Sequence, residues 1–154
     1  MTPDLFATTR CLCLAARRAS RTITRRFDQA LRPHGLRATQ FTLLAALSLG
    51  GQQSISALAE LLGNDRTTIT RNLGVVAGHG WVRVEPDPAD ARSRVASITD
   101  EGRHALESAL ATWREVQHAL SAEMGGEAVA ALHRLAGGPC TLEPPVPTSP
   151  EPRA

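Results

Sequence analysis

Two sets of residues in this chain have types and spacings that could do chemistry. The first is a set of thiols: Cys11 and Cys13 in "RCLCLAARRASR", residues 10–21, with Cys140 far along the chain. A thiolate attacks oxidants and electrophiles and binds soft metals, and a cation one helical turn away favours that form, as Arg17 stands to Cys13. The second is a set of donors: Arg66, Thr67, Thr70 and Arg71 in "DRTTITRNLGVV", then Arg92 and Arg94 in "DARSR". Guanidinium forks and hydroxyls are what phosphates and base edges accept hydrogen bonds from. Each set also has a plainer reading. A free cysteine is often a small buried residue, and an arginine-rich helix face is often only solvated.

Composition narrows the choice. A chain of 154 residues is expected to form one domain with an ordinary core, needing neither disulfides nor a structural metal. Its formal net charge of +2 is too small to diagnose a polyanionic partner, so placement decides. All 17 basic residues are arginine, clustered at Arg17, Arg18, Arg21, Arg25 and Arg26, at Arg66 and Arg71, and at Arg83, Arg92 and Arg94. No apolar run is long enough to span a bilayer, and "MTPDLFATTR" lacks the basic-then-apolar order of a secretory signal, so a cytoplasmic protein without a membrane role is expected. There the three cysteines should be free thiols. A thiol enzyme turning over peroxide or disulfide finds little support: there is no C-x-x-C motif and no cysteine-histidine arrangement. The histidines at 34, 79, 104, 118 and 133 have no metal-ligand spacing, and Glu85, Asp87 and Asp90 sit at a turn instead of converging as catalytic carboxylates.

The elements that must position these residues can be read from periodicity. Leu12, Ala16, Ala19, Ile23, Phe27 and Ala30 recur every three or four residues, which predicts a long first helix containing both early cysteines and ending near Pro33 to Gly35. "ATQFTLLAALSLGG" predicts a second helix with Phe41, Leu44 and Leu47 on its apolar face. "SISALAELLG" and "NDRTTITRNLGVVAGHG" predict two shorter ones, capped by Ser54 or Ser56 and by Asn64 or Asp65. "WVRVEP" and "SRVASIT" read as a two-stranded hairpin around "DPADAR". Thr99 can cap a long helix through Leu106, Leu110, Trp113, Val116 and Leu120. Gly125 and Gly126 break it before a last helix to about Leu135. Six of the ten prolines fall in residues 139–154, a composition that predicts a disordered tail.

On the fourth helix, at about 100° per residue, Arg66, Thr67, Thr70 and Arg71 share one side while Ile69, Leu73 and Val76 share another. One side anchors and the other is free to read. A short helix, a Gly63–Asn64 turn, this helix and a basic hairpin together make a winged helix-turn-helix pattern. Here the chain resembles the MarR family of regulators, which "SALAELLGNDRTTITRNLGVVAGHGWVRVEPDPADARSRVASITDEG" follows almost position by position, the likeness running from the first helix to about residue 135. The resemblance implies a mainly α fold with a small β-hairpin wing. It divides residues 1–138 into a DNA-binding part at about 36–100 and dimerisation helices at about 4–34 and 100–137, intertwined in a homodimer. Double-stranded DNA is the implied partner, read as a near-palindrome with half-sites roughly 10 bp apart. In the family's D-x-R-S wing motif an arginine contacts DNA and an aspartate holds it, which falls here on Asp90, Arg92 and Ser93.

The resemblance also bears on the thiols. Within the family the pattern is nearest to the organic-hydroperoxide and thiol-based members, and an ungapped match places Cys13 at their reactive cysteine. Their supporting tyrosines are replaced by Phe27 and Ala38 in a chain with no tyrosine. Residues two apart on a helix point about 160° away from each other, so Cys11 and Cys13 are not expected to pair, and Cys13 is expected to lie beyond the first turn. Cys140 of a partner could approach either one, making the three cysteines possible ligands for a soft metal or metalloid effector, with no cofactor required. Arg17, Arg21, Gln40 and Phe41 are candidates for a small acidic or aromatic ligand at the junction of the first two helices. Cysteines that only pack remain the alternative.

Overall fold

The computed structural model describes residues 9–90 and 92–138. Cys140 and the proline-rich tail lie outside these residues. The first helix, α1 (Leu12–Leu31), begins where its apolar stripe begins and leaves Cys11, expected inside it, outside: Thr9 and Arg10 form a 3-10 turn and Cys11 is extended, with φ −61° and ψ 119°. Only the second half of the apolar stripe is covered by this chain. Ile23, Phe27 and Ala30 are half-buried and Leu31 fully so, whereas Leu12 is 85% exposed. A 3-10 turn over Arg32–His34 ends at Gly35, whose φ of 70° reverses the chain and drops Leu36 into the core.

Helix α2 (Ala38–Gly50) is held at its start by α1, since the Asp28 carboxylate accepts from the Ala38 amide at 2.8 Å. Its sequence suggests one apolar face, yet Gln40, Phe41, Leu43, Leu44, Ala46 and Leu47 are all buried. The reason is its central place, packed by α1, by the helices and sheet that follow it in the chain, and by the long helix α5 (Asp100–Met124). Phe41 stacks on Trp113 of α5 at 5.6 Å between ring centroids, and Trp113 meets Phe27 of α1 at 6.3 Å.

After α2 come β1 (Gln53–Ser54), α3 (Ile55–Leu61), α4 (Arg66–Gly78), β2 (Val82–Pro86) and β3 (Arg94–Ile98). The sheet has three strands, not the two of the expected hairpin. Its order is β1-β3-β2, all antiparallel, with Gln53 opposite Ala96 and Val84 opposite Ala96 on the other side. Two residues are too few to leave an alternating pattern, which is why β1 was not visible in the sequence. Ser54 ends that strand and caps α3, its hydroxyl accepting from the Ala57 amide at 3.1 Å. Helix α6 (Gly126–Leu135) follows the break at Gly125, as expected. Leu132 and Leu135 on it are 46% and 87% exposed.

Candidate nucleic-acid interface

Helices α3 and α4 meet through a turn in which Gly63 takes φ 60° and the Asn64 side chain donates to the Leu62 carbonyl at 2.9 Å. Asp65 then caps α4, resolving the two cap candidates in its favour. One carboxylate oxygen accepts from the Thr68 amide at 2.7 Å and the other from the Thr68 hydroxyl at 2.8 Å. Those bonds, the backbone one foremost, hold the Asp65 carboxyl below its ordinary pKa. Beyond the cap the two faces separate as the spacing requires. Ile69, Leu73 and Val76 are buried, while Arg66, Thr67, Thr70 and Arg71 are exposed side by side with Gly74. Thr70 donates its hydroxyl proton to the Arg66 carbonyl at 2.8 Å, which leaves its oxygen lone pairs facing outward as acceptors.

The wing is built by its backbone. Between β2 and β3 the Asp87 amide donates to the Ser93 carbonyl at 2.9 Å and the Ser93 amide to the Asp90 carbonyl at 2.8 Å. Asp87 also caps the Ala89 amide at 2.9 Å. Asp90 was expected to hold the Arg92 side chain; its carboxylate instead accepts from the Arg92 backbone amide at 3.0 Å. An Asx turn of this kind shapes the tip, and the exposed Arg92 guanidinium is not among the ion pairs of the described residues. Arg94 is exposed too, but its guanidinium reaches back across the wing to the Val84 carbonyl at 3.2 Å. It braces the strands as well as adding charge.

This arrangement of helix and wing recurs in known proteins. A model of the MarR family matches residues 34–93. The transcriptional regulator MosR of M. tuberculosis, solved in complex with DNA, superposes with a TM-score of 0.72 at 42% identity, covering 82% of this chain and 96% of that one. The chain belongs to the MarR family. Two curated relatives differ in regulatory sign. The transcriptional activatory protein BadR of Rhodopseudomonas palustris is 35% identical over 82 residues, 51% of this chain and only 47% of BadR. The transcriptional repressor NicR of Pseudomonas putida is 28% identical over 120 residues, 77% of this chain and 76% of NicR. All are DNA-binding or transcriptional regulators, which sets the thiol-enzyme reading aside.

In this MarR-family chain the thiols stand differently from expectation. Cys11 precedes α1 and Cys13 is its second residue, inside the first turn. The opposed directions derived for two residues within one helix therefore do not describe them. Both are exposed, as is Arg17 one turn further on. The residues expected at a ligand site at the junction of the first two helices have the following places in the chain. Gln40 is buried and its side-chain oxygen accepts from the Arg37 amide at 2.9 Å, Phe41 is stacked on Trp113, and Arg17 and Arg21 lie exposed on α1. Among the described residues no cluster of three His, Cys, Asp or Glu side chains could hold a metal ion, and no helix is long and apolar enough to cross a membrane.

Sequence reasoning missed Gly102 in the first turn of α5. A side chain there would collide with the Trp81 carbonyl and with Ile98. The signal was available: glycine inside a helix costs about 1 kcal/mol relative to alanine, which marks a place where something comes close.

Proposed function

We propose that this chain is a homodimeric repressor that reads a near-palindromic operator and releases it when a thiol-reactive agent, a soft metal or metalloid, or a small ligand acts near α1. The observation that carries the reading is the exposed set Arg66, Thr67, Thr70 and Arg71 on one side of a capped helix whose opposite side is core. Placed in a major groove, these side chains contact base edges and phosphates, while Arg92 on the wing reaches the adjacent minor groove.

Two observations support a dimer. Leu12 and Leu14 on α1 and Leu132 and Leu135 on α6 are exposed, and α1 places a single residue, Leu31, fully in this chain's core. A second copy covering both terminal helices would bury this apolar surface and set the spacing of the two α4 helices. Cys11 and Cys13 lie at the same end of α1, so a change there acts on the dimer and through it on that spacing. Release requires only that the effector favour one state over the other by a few kcal/mol.

The test is release of the bound operator by organic peroxide, quinone, arsenite and an aromatic acid in turn, with mass spectrometry of each cysteine. The thiol reading expects an adduct or oxidation at Cys13 that tracks release and is lost in Cys13→Ser. Release by the aromatic acid alone, unchanged in Cys13→Ser, assigns the effector to a small-ligand site. A regulator whose cysteines only pack is favoured if no agent releases DNA; exposure of both thiols on the chain means that such packing requires the partner.

A further inference from the structure

One hydroxyl joins the end of α4, the root of the wing and the start of α5. Thr99 Oγ1 donates to the Gly80 carbonyl at 2.7 Å and accepts from the Gly102 amide at 3.1 Å. The Thr99 amide donates to the Trp81 carbonyl at 3.0 Å, the oxygen against which Gly102 is packed too closely to admit a side chain. On the other side Gly80, at φ 75°, and Trp81 close α4 by donating to the Ala77 and Val76 carbonyls at 2.9 and 3.0 Å. Val82 and Ile98, which follow and precede these residues, form the first pair of the wing. A simple helix cap needs only the acceptor function of Thr99. The bond to Gly80, 19 residues earlier, does something further: it fastens the reading helix to the long helix.

We propose that Thr99 is a positioning residue for DNA reading, its hydroxyl proton holding α4 and the wing at a fixed angle to α5. The inference rests on the DNA-binding reading above and adds the joint through which α5 governs α4. With the bond intact, a displacement of α5 carries α4 with it. Without that bond the cap and the Thr99 amide bond to Trp81 survive, but the end of α4 is tied to α5 at one point fewer and its angle is less closely fixed.

The experiment compares the full-length wild type with Thr99→Ser and Thr99→Asp. It reads melting temperature and affinity for a duplex selected by the wild type and for a random duplex, at one salt concentration. Serine keeps both hydroxyl bonds, whereas aspartate keeps an acceptor for Gly102 and offers Gly80 no proton. The serine variant should hold the selected-to-random affinity ratio within about twofold of wild type, and the aspartate variant should lose about tenfold of it while still folding. An aspartate variant that keeps the ratio, or a serine variant that loses it, overturns the proposal.

If the aspartate variant does not fold, native-state hydrogen exchange on the wild type decides. The amides of Gly80, Trp81 and Gly102 should open as one unit, with protection factors within about fivefold of each other. A wider spread overturns the coupling. A wild type that selects no duplex counts against the DNA-binding reading instead, and the exchange result then judges the joint by itself.

Discussion

Thr70 and Arg71 face outward because Ile69 and Leu73 beside them are buried, so substituting them tests reading with little cost to the core. Arg71→Ala should remove about 1–3 kcal/mol of preference for the selected duplex, measured as the change in affinity ratio to a random one. Arg92→Ala should weaken binding to both duplexes and make it less salt-dependent, as expected when a cation is lost from the minor groove, whose potential is set by the flanking phosphates. Asp65 acts through the helix. Its carboxyl is held below its ordinary pKa by the Thr68 bonds, so its contribution to stability is present above the unfolded-state pKa and is lost as pH falls through the lower folded value. Asp65→Ala should therefore lower the melting temperature at neutral pH, with the gap from wild type closing in acid. At this scale the outward-facing side of α4 was legible, since a period of 3.6 residues sorts outward from inward without further information. The support given to Arg92 was not. Whether an aspartate bonds an arginine's side chain or its backbone amide depends on turn geometry that spacing alone leaves open.

Among the elements, the long helices and the two wing strands were legible because each repeats its pattern over many residues or is bounded by glycine and proline. Two short features were not. Strand β1 is two residues long and gains its identity from pairing with β3. The apolar stripe and α1 both begin at Leu12, so Cys11 lies just outside the helix, and its residue type does not mark that boundary. The junction of β2 and α5 is the element most exposed to a small change. Gly102→Ala, which would raise helix propensity in isolation, should instead destabilise the chain by about 1–3 kcal/mol in a denaturant titration, because the added methyl meets backbone that has little room to move. The exposed pair Arg26 and Glu123, which links α1 to α5, should matter far less; exposed ion pairs contribute between nothing and about 1 kcal/mol.

For the whole molecule, one chain buries a core centred on α2 but leaves the apolar beginnings and ends of its terminal helices in water. The stripe from Leu12 to Ala30 was legible, and what covers its first half was implied only by the family resemblance. Leu12→Asp combined with Leu135→Asp should shift sedimentation from a dimer to a monomer. It should also abolish tight binding to a two-half-site duplex while leaving α4 folded by circular dichroism. The most direct measurement of the central claim is selection of duplexes from a random pool by the wild-type protein, followed by its affinity for the winner at physiological salt. The account predicts a near-palindrome with half-sites roughly 10 bp apart, bound at least about a thousandfold more tightly than random DNA. A protein that enriches no sequence, or binds its best duplex no more tightly than a random one, would contradict it.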